Sequence, residues 1–419
     1  MAKPAPLAIL PLTNILRSLM TTTVSSSPLL LPPSLAFMSI LANTTNPLLN
    51  PDRNPLLRFF LKHTFYAQFC AGENPAEVSR TIASLKQVGF SGVILGYAKE
   101  VVLPASSSTA NQPTIAVTEK TAAEVRPWAT GTLETVRLAS PGDFVALKFT
   151  GAGQHALYTL THRLPPSDTL AAYIDEICAL AAQRDVRLLF DAEQHAVQPG
   201  INDWTMTYMR KYNTTPGGKA VVYGTYQAYL KSCAATLSAH LAAARAEGFT
   251  LGVKLVRGAY MGSDPREIFH GSKAETDAAY DGIVEALVRR EWRAPLVAGG
   301  AAVEGFPEVN LVVASHNADS VRKARAVLKE LGDKTETAFA QLQGMADEVS
   351  CELVAGGGEG KRGDAGAYKY LVWGSTGECM KYLLRRAQEN KDAVQRTRSG
   401  REAMRGELVR RVKALFGFM

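Results

Sequence analysis

The feature that most constrains this chain is a regular beat of short apolar, β-branched runs, each followed by enough residues for a helix. The runs fall at residues 92–96, 144–149, 186–190, 220–226, 251–256, 311–315, 337–342 and 368–373. Between them, residues 170–182, 229–247, 277–291 and 317–331 space their apolar side chains near the 3.6-residue helical period. Eight strands alternating with helices predict an α/β fold, a distorted (βα)8 TIM-like barrel. Residues 51–90 turn helical before the beat begins and predict an N-terminal helical arm, with the barrel over 91–419.

Two stretches break the rhythm. Residues 104–143, rich in Pro and Ser at their start, read as a long first connection containing some helix. Residues 356–366 carry Gly-Gly-Gly-Glu-Gly-Lys-Arg-Gly and read as a linker, because a phosphate-cradling loop would end in Gly-Lys-Ser/Thr. Residues 1–50 hold Lys3 and Arg17 among Ser, Thr, Pro and Leu, with no acid before Asp52. That is the pattern of a mitochondrial targeting segment, and equally of a disordered N-terminal arm.

In a barrel of this kind the strand C-termini build the site. Lys148, Asp191, Glu193, Gln227, Arg257, His316, Gln341 and Tyr370 stand at or just past such ends. Asp191, Glu193 and His195 alternate and would share one side of an extended segment, the spacing of a metal site, but nothing completes a ligand set. Lys148 and Lys254 lie within apolar strands, where desolvation favours a Schiff-base lysine, so a barrel lyase competes on chemistry alone. Near the C-terminus, Tyr382-Leu-Leu-Arg-Arg-Ala-Gln-Glu-Asn390 places Tyr382, Arg385, Arg386 and Glu389 on one helical face. Two planar guanidinium groups there match a carboxylate, with Glu389 close enough to orient either; a solvated Arg-Arg-x-x-Glu face is the plainer reading.

That segment resembles the carboxylate-binding helix of the proline dehydrogenase family. Phe190-Asp-Ala-Glu193, Thr225-Tyr-Gln-Ala-Tyr-Leu230, Lys254-Leu-Val-Arg-Gly-Ala-Tyr260, Ala314-Ser-His-Asn317 and Gln341-Leu-Gln-Gly-Met345 resemble further motifs of that family in the same order. The likeness covers roughly residues 55–415 and is to fungal-type, monofunctional, mitochondrial members, with no fused aldehyde dehydrogenase segment expected. It implies FAD-dependent oxidation of L-proline to Δ1-pyrroline-5-carboxylate, the first step of proline catabolism, with electrons passed to a quinone. Arg385, Arg386 and Lys148 would hold the substrate carboxylate; Tyr260, Leu342, Tyr370 and Tyr382 would wall its ring; Asp191 would orient site groups. Gln227, Lys254, Gly258, Ala259, Met261, Thr276 and His316 would contact FAD on the barrel, without a metal. Lys254 stands where bacterial members carry Arg, and Met261 where they carry Trp. The implied location is the matrix side of the inner mitochondrial membrane, with peripheral membrane contact. A hydroxyproline dehydrogenase and an inactive barrel serving as a binding module are the alternatives. Tyr370 argues against the first, since the hydroxyproline branch tends to have a small residue there.

Composition narrows the rest. The 419 residues are 46% hydrophobic and 20% charged, enough for a sizeable core, with a formal net charge of +7. The basic residues are dispersed, with no Lys/Arg block or zinc-finger spacing, so nucleic acid is not the expected partner. Five scattered cysteines without a CxxC pair predict free thiols in a reducing compartment.

Overall fold

The computed structural model describes residues 5–44, 46–98, 118–215, 218–298, 305–332, 335–356, 365–392 and 394–416; side chains 118–122 and 389–397 are outside the described residues. Of the expected long connection 104–143 and glycine-rich linker 356–366, residues 104–117 and 357–364 lie outside as well, and Thr118–Leu138 forms the helix expected within the connection.

All eight expected strands form. They are β2 (Gly92–Tyr97), β3 (Phe144–Leu147), β4 (Arg187–Phe190), β5 (Val222–Gln227), β6 (Leu251–Val256), β7 (Val309–Ala314), β8 (Glu336–Leu342) and β9 (Gly366–Trp373). A short β1 (Cys70–Gly72) precedes them; at three residues it carries too little pattern to be read from sequence. The sheet order is β1-β9-β2-β3-β4-β5-β6-β7-β8, and β9 also pairs with β8, which closes the barrel. β3 and β5 are buried throughout and β4 at all but Arg187, which is why these strands do not read as alternation.

Two boundaries shift for local reasons. The run 144–149 stops at Leu147 because Phe149–Ala152 winds into a 3-10 turn. The helix expected from 229 starts at Cys233, because Ala228 N–H and Tyr229 N–H donate to Val256 O and Arg257 O (2.9 Å each) and prolong the strand pairing.

The chain forms two compact units. The second comprises Ile94–Ala340 with Glu359–Gly366 and holds most of the strands and their returning helices, Asp168–Gln183, Cys233–Glu247, Lys273–Arg289 and Ala318–Leu331 among them. At its base Phe144 meets Tyr223 edge-on at 5.5 Å, and Arg187 lies over Phe144 while pairing with Glu336 at 2.9 Å.

The first unit is assembled from Met1–Val93, Gln341–Gly358 and Ala367–Met419. Its β9 is held by Ser91 N–H donating to Ala367 O and Gln343 N–H donating to Tyr370 O, both at 2.9 Å. Within the span read as a targeting or disordered segment, Leu12–Ser26 and Leu31–Asn43 are helices. Ile15, Leu31, Met38 and Leu41 are buried, and Leu7, Leu10 and Ile15 pack with Cys351 and Met404. The hydroxyls that suggest disorder bond backward along the helix, Thr21 to Arg17 O (2.9 Å) and Thr22 to Ser18 O (2.6 Å), so they are satisfied without water. Arg401 donates to Ser26 Oγ (2.8 Å) and Arg411 to the carbonyls of Leu7, Ala8 and Leu10 (3.4, 3.1 and 2.7 Å), fixing the Val394–Leu415 helix antiparallel to Leu12–Ser26.

Candidate active site

In the second unit, Lys148 follows β3, Asp191 follows β4, and Lys254 sits inside β6. Residues 43 and 63 apart in sequence thereby meet. Asp191 accepts from Lys254 Nζ at 2.6 Å and from Lys148 Nζ at 3.2 Å, and its carboxylate is buried. Burying one carboxylate between two ammonium groups compensates its desolvation and leaves the trio with a net positive charge. Neither lysine is in the unpaired apolar setting that Schiff-base chemistry needs.

The neighbouring acid has a different task. Glu193 takes the Thr150 N–H (3.1 Å) and the Thr150 hydroxyl, tying the β3 and β4 exits together, while its own N–H donates to Gln198 Oε1 at 2.9 Å. His195 offers its backbone N–H to Asp264. The Asp191 and Glu193 side chains that alternation would align are thus committed separately, beyond the end of β4 at Phe190.

Gln227 ends β5, its amide donating to Glu193 O at 3.4 Å. Two residues earlier, Thr225 lies opposite Lys254 in register, and its hydroxyl is buried without a hydrogen-bond partner. An orphaned buried hydroxyl is costly unless a bound group completes it. With Gln227, Lys254 and a glycine at 258, the ends of β5 and β6 provide hydrogen-bonding groups and open backbone that fit a polar ring system such as a flavin.

The segment after β6 is fixed from an unexpected side. Tyr229, whose ring stacks on Phe269 at 4.6 Å, accepts the Tyr260 N–H on its hydroxyl (3.2 Å). The Tyr260 phenol in turn donates to Ala192 O at 3.3 Å. Ala259 and Met261 are exposed on this loop. Thr276 is half-buried in the first turn of Lys273–Arg289, with its hydroxyl donating to Ser272 O at 3.3 Å. His316 is half-buried directly after β7. Arg257 braces the same strand ends: it pairs with Asp277, donates to Ser320 Oγ at 2.8 Å and lies over the Tyr280 ring.

In the first unit, Thr376–Asp392 carries Tyr382, Arg385 and Arg386. Tyr382 and Arg386 are buried, with the guanidinium 4.9 Å over the phenol ring, so the solvated-face reading fails for Arg386. Glu389 lies outside the described side chains. Tyr370 is buried on β9 and Leu342 is half-buried at the end of β8. Gln341 is spent internally, accepting from Ser350 Oγ at 3.0 Å.

Sequence reasoning missed what anchors this helix. Ser375 and Glu378 form a reciprocal capping box, Ser375 N–H to Glu378 at 2.9 Å and Glu378 N–H to Ser375 Oγ at 3.2 Å. Asp52 takes Gly377 N–H (2.9 Å) and Ser375 Oγ (3.0 Å), and Glu73 takes Thr376 N–H (3.0 Å) and its hydroxyl (2.8 Å). Carboxylates at a helix start complement its dipole. Burial alone would raise the Glu73 carboxyl, but bonds from Arg58, Lys62 and Thr376 outweigh it and bring it down to about 2.

A closed parallel barrel whose strand ends gather two lysines around a buried carboxylate is the framework of a barrel enzyme. The chain belongs to the proline dehydrogenase family, whose profile matches residues 78–399. It is similar to the probable mitochondrial proline dehydrogenase of Schizosaccharomyces pombe, 32% identical over 403 residues covering 84% of this chain and 80% of that one. It is similar also to the hydroxyproline dehydrogenase of Xenopus laevis, 30% identical over 409 residues covering 85% and 80%. Among solved structures, proline utilization A from Bdellovibrio bacteriovorus, inactivated by N-propargylglycine, matches with a TM-score of 0.65 at 16% identity, over 89% of this chain and 38% of that one. At that identity the likeness is one of fold.

Proposed function

We propose that this chain is a mitochondrial FAD-dependent enzyme that oxidises L-proline to Δ1-pyrroline-5-carboxylate and delivers the electrons to a quinone, from a peripheral position on the matrix face of the inner membrane. The observation that carries the reading is the buried arginine over its phenol on a helix whose start is locked by three carboxylates, in a chain of this family. Such a helix presents Arg385 and Arg386 as pre-positioned planar donors for the proline carboxylate, with Lys148 as a further cation and Glu389 as the group orienting the arginines.

Tyr260, Leu342, Tyr370 and Tyr382 supply apolar faces for the pyrrolidine ring. Asp191 keeps Lys148 and Lys254 in place and lowers the net charge of the trio. Gln227, Lys254, Gly258, Ala259, Met261, Thr276 and His316 are the residues that would hold FAD. Bound FAD supplies the acceptor for the hydride leaving C5. The test is the absorbance of the purified protein before and after anaerobic L-proline. Bleaching of a flavin band supports the reading, while a flavin-free protein, or a band that proline leaves unchanged, rejects it.

Trans-4-hydroxy-L-proline is the second reading, favoured by the resemblance to hydroxyproline dehydrogenases. Tyr370 weighs against it: a phenol beside the C4 edge occupies the room that a hydroxyl substituent needs.

A further inference from the structure

Of the large apolar side chains exposed among the described residues, only Leu164, Met261 and Val297 belong to the second unit; the remainder lie in the first, at residues 12–60 and 409–416. The densest group is local. Pro55–Leu61 continues into a π-helical segment, Lys62–Tyr66, and buries Leu61 and Tyr66 on its inner side. Its outer side shows Leu56, Phe59, Phe60 and His63 at helical spacing, and the first three are 81%, 65% and 56% exposed. Leu48, 73% exposed, is drawn to the same place, because Asn54, the N-cap of that helix, donates to Leu48 O at 2.7 Å. Side chains of this size are not normally left in water as a group.

The charges beside this wedge are mostly paired, Arg58 with Glu73 and Lys62 with both Glu73 and Glu77. Arg53 is exposed and Arg58 half-exposed. No acid precedes Asp52, and Asp52 is engaged with Ser375 and Gly377. Glu73 is nearly inaccessible behind Arg58 and Lys62. Among the described residues no single helix is long and apolar enough to cross a membrane. The pair Leu12–Ser26 and Leu31–Asn43 passes that test only together, and it is bent by 104°.

We infer that Leu48, Leu56, Phe59 and Phe60 form a wedge that enters the headgroup layer of an anionic phospholipid surface, with the exposed Arg53 against the lipid phosphates. This rests on the proposed membrane contact and names the surface that makes it. Apolar side chains beside an exposed cation suit that occupant, since burial of the wedge and attraction to anionic lipid act together. A second copy of the chain suits it less: an isologous contact through this face would set each copy's Arg53 against its own mate.

The experiment uses the full chain and flotation with phosphatidylcholine vesicles, with and without phosphatidylglycerol. Wild type should float with the anionic vesicles and less so with neutral ones. The triple variant Leu56→Ser, Phe59→Ser, Phe60→Ser should weaken this binding about tenfold or more. Its bleaching by anaerobic proline and its turnover with a soluble quinone should stay unchanged. In Phe59→Trp, anionic vesicles should shift the indole emission to the blue. Equal flotation of wild type and triple variant, or an unshifted indole, overturns the inference. So does a wild-type dimer that the triple variant dissolves and that binds no vesicle. Wild type that ignores vesicles yet bleaches with proline removes the wedge and leaves the proposed chemistry standing.

Discussion

Gly258 stands against the ring of Tyr229 so closely that a Cβ at 258 would overlap three ring carbons. The backbone there also has φ +140°, a conformation that side chains rarely adopt. Gly258→Ala therefore carries two costs, overlap and roughly 1 to 3 kcal/mol of backbone strain. The expected outcome is reduced FAD content and a lower kcat/KM for proline. Tyr229→Ala added to it should restore part of the loss, the strain remaining. Full activity of the single variant would remove this loop from the site.

Asp191→Asn leaves the buried Lys254 and the half-buried Lys148 facing an amide in place of a carboxylate. Breaking a buried ion pair by removing one partner costs about 3 to 5 kcal/mol. Chemical denaturation of Asp191→Asn should show a loss of that order, and Asp191→Asn with Lys254→Met should lose less than the sum of the two. Additive losses would mean that the 2.6 Å pair contributes nothing as a pair.

On the proposed carboxylate clamp, Arg385→Met and Arg386→Met should each remove a charge-assisted bond worth about 1.5 to 3 kcal/mol. KM for proline should rise roughly ten- to over a hundredfold in each. Because Arg386 is buried over Tyr382, its variant should also lose thermal stability. Unchanged KM in both contradicts the carboxylate clamp.

Tyr370→Ser divides the two substrates. A tight apolar wall discriminates by about 1 to 3 kcal/mol, so wild type should prefer L-proline over trans-4-hydroxy-L-proline roughly ten- to two-hundredfold in kcat/KM. The serine variant should narrow that ratio chiefly by losing proline activity. Measuring both substrates with both proteins decides it; an unchanged ratio takes Tyr370 out of the wall.

His240 gives the second unit a pH dependence. Its Nδ1 lies 2.7 Å from the Tyr226 hydroxyl, and burial pushes the imidazole down to about 4 from an ordinary 6.5. The unfolded chain then takes the proton more readily than the folded one. The stabilisation is complete above about 6.5 and is lost as pH falls toward 4, by up to about 3 kcal/mol. Tm measured between pH 7 and 4 should fall more steeply for wild type than for His240→Gln, and parallel curves would contradict the assignment.

The barrel was legible because strands buried on both faces leave uninterrupted apolar runs, and helices between them keep their own period. The charged residues at the strand ends were legible by type and place. What no local pattern carries is which of them meet. Asp191 reaches Lys148 and Lys254 across 43 and 63 residues, and nothing near Asp52 or Glu73 announces that both hold the start of a helix more than 300 residues away. Ser375-Thr-Gly-Glu378 did carry a signal, a capping box, and would have placed that helix start. In residues 12–43 the Thr hydroxyls bond back along their own helix, a commitment that composition does not carry.

The Arg411 contacts with the carbonyls of Leu7, Ala8 and Leu10 set an order on biosynthesis. The first unit draws on residues 1–93 but also on 341–358 and 367–419, so its earliest segment leaves the ribosome long before its partners exist. The intervening Ile94–Ala340 stretch is nearly continuous and has local partners from the start. Contacts this remote in sequence form late and slowly. Until those later segments arrive, Ile15 has Leu7 and Leu10 beside it but lacks Cys351 and Met404, so the nascent N-terminal segment keeps apolar surface uncovered.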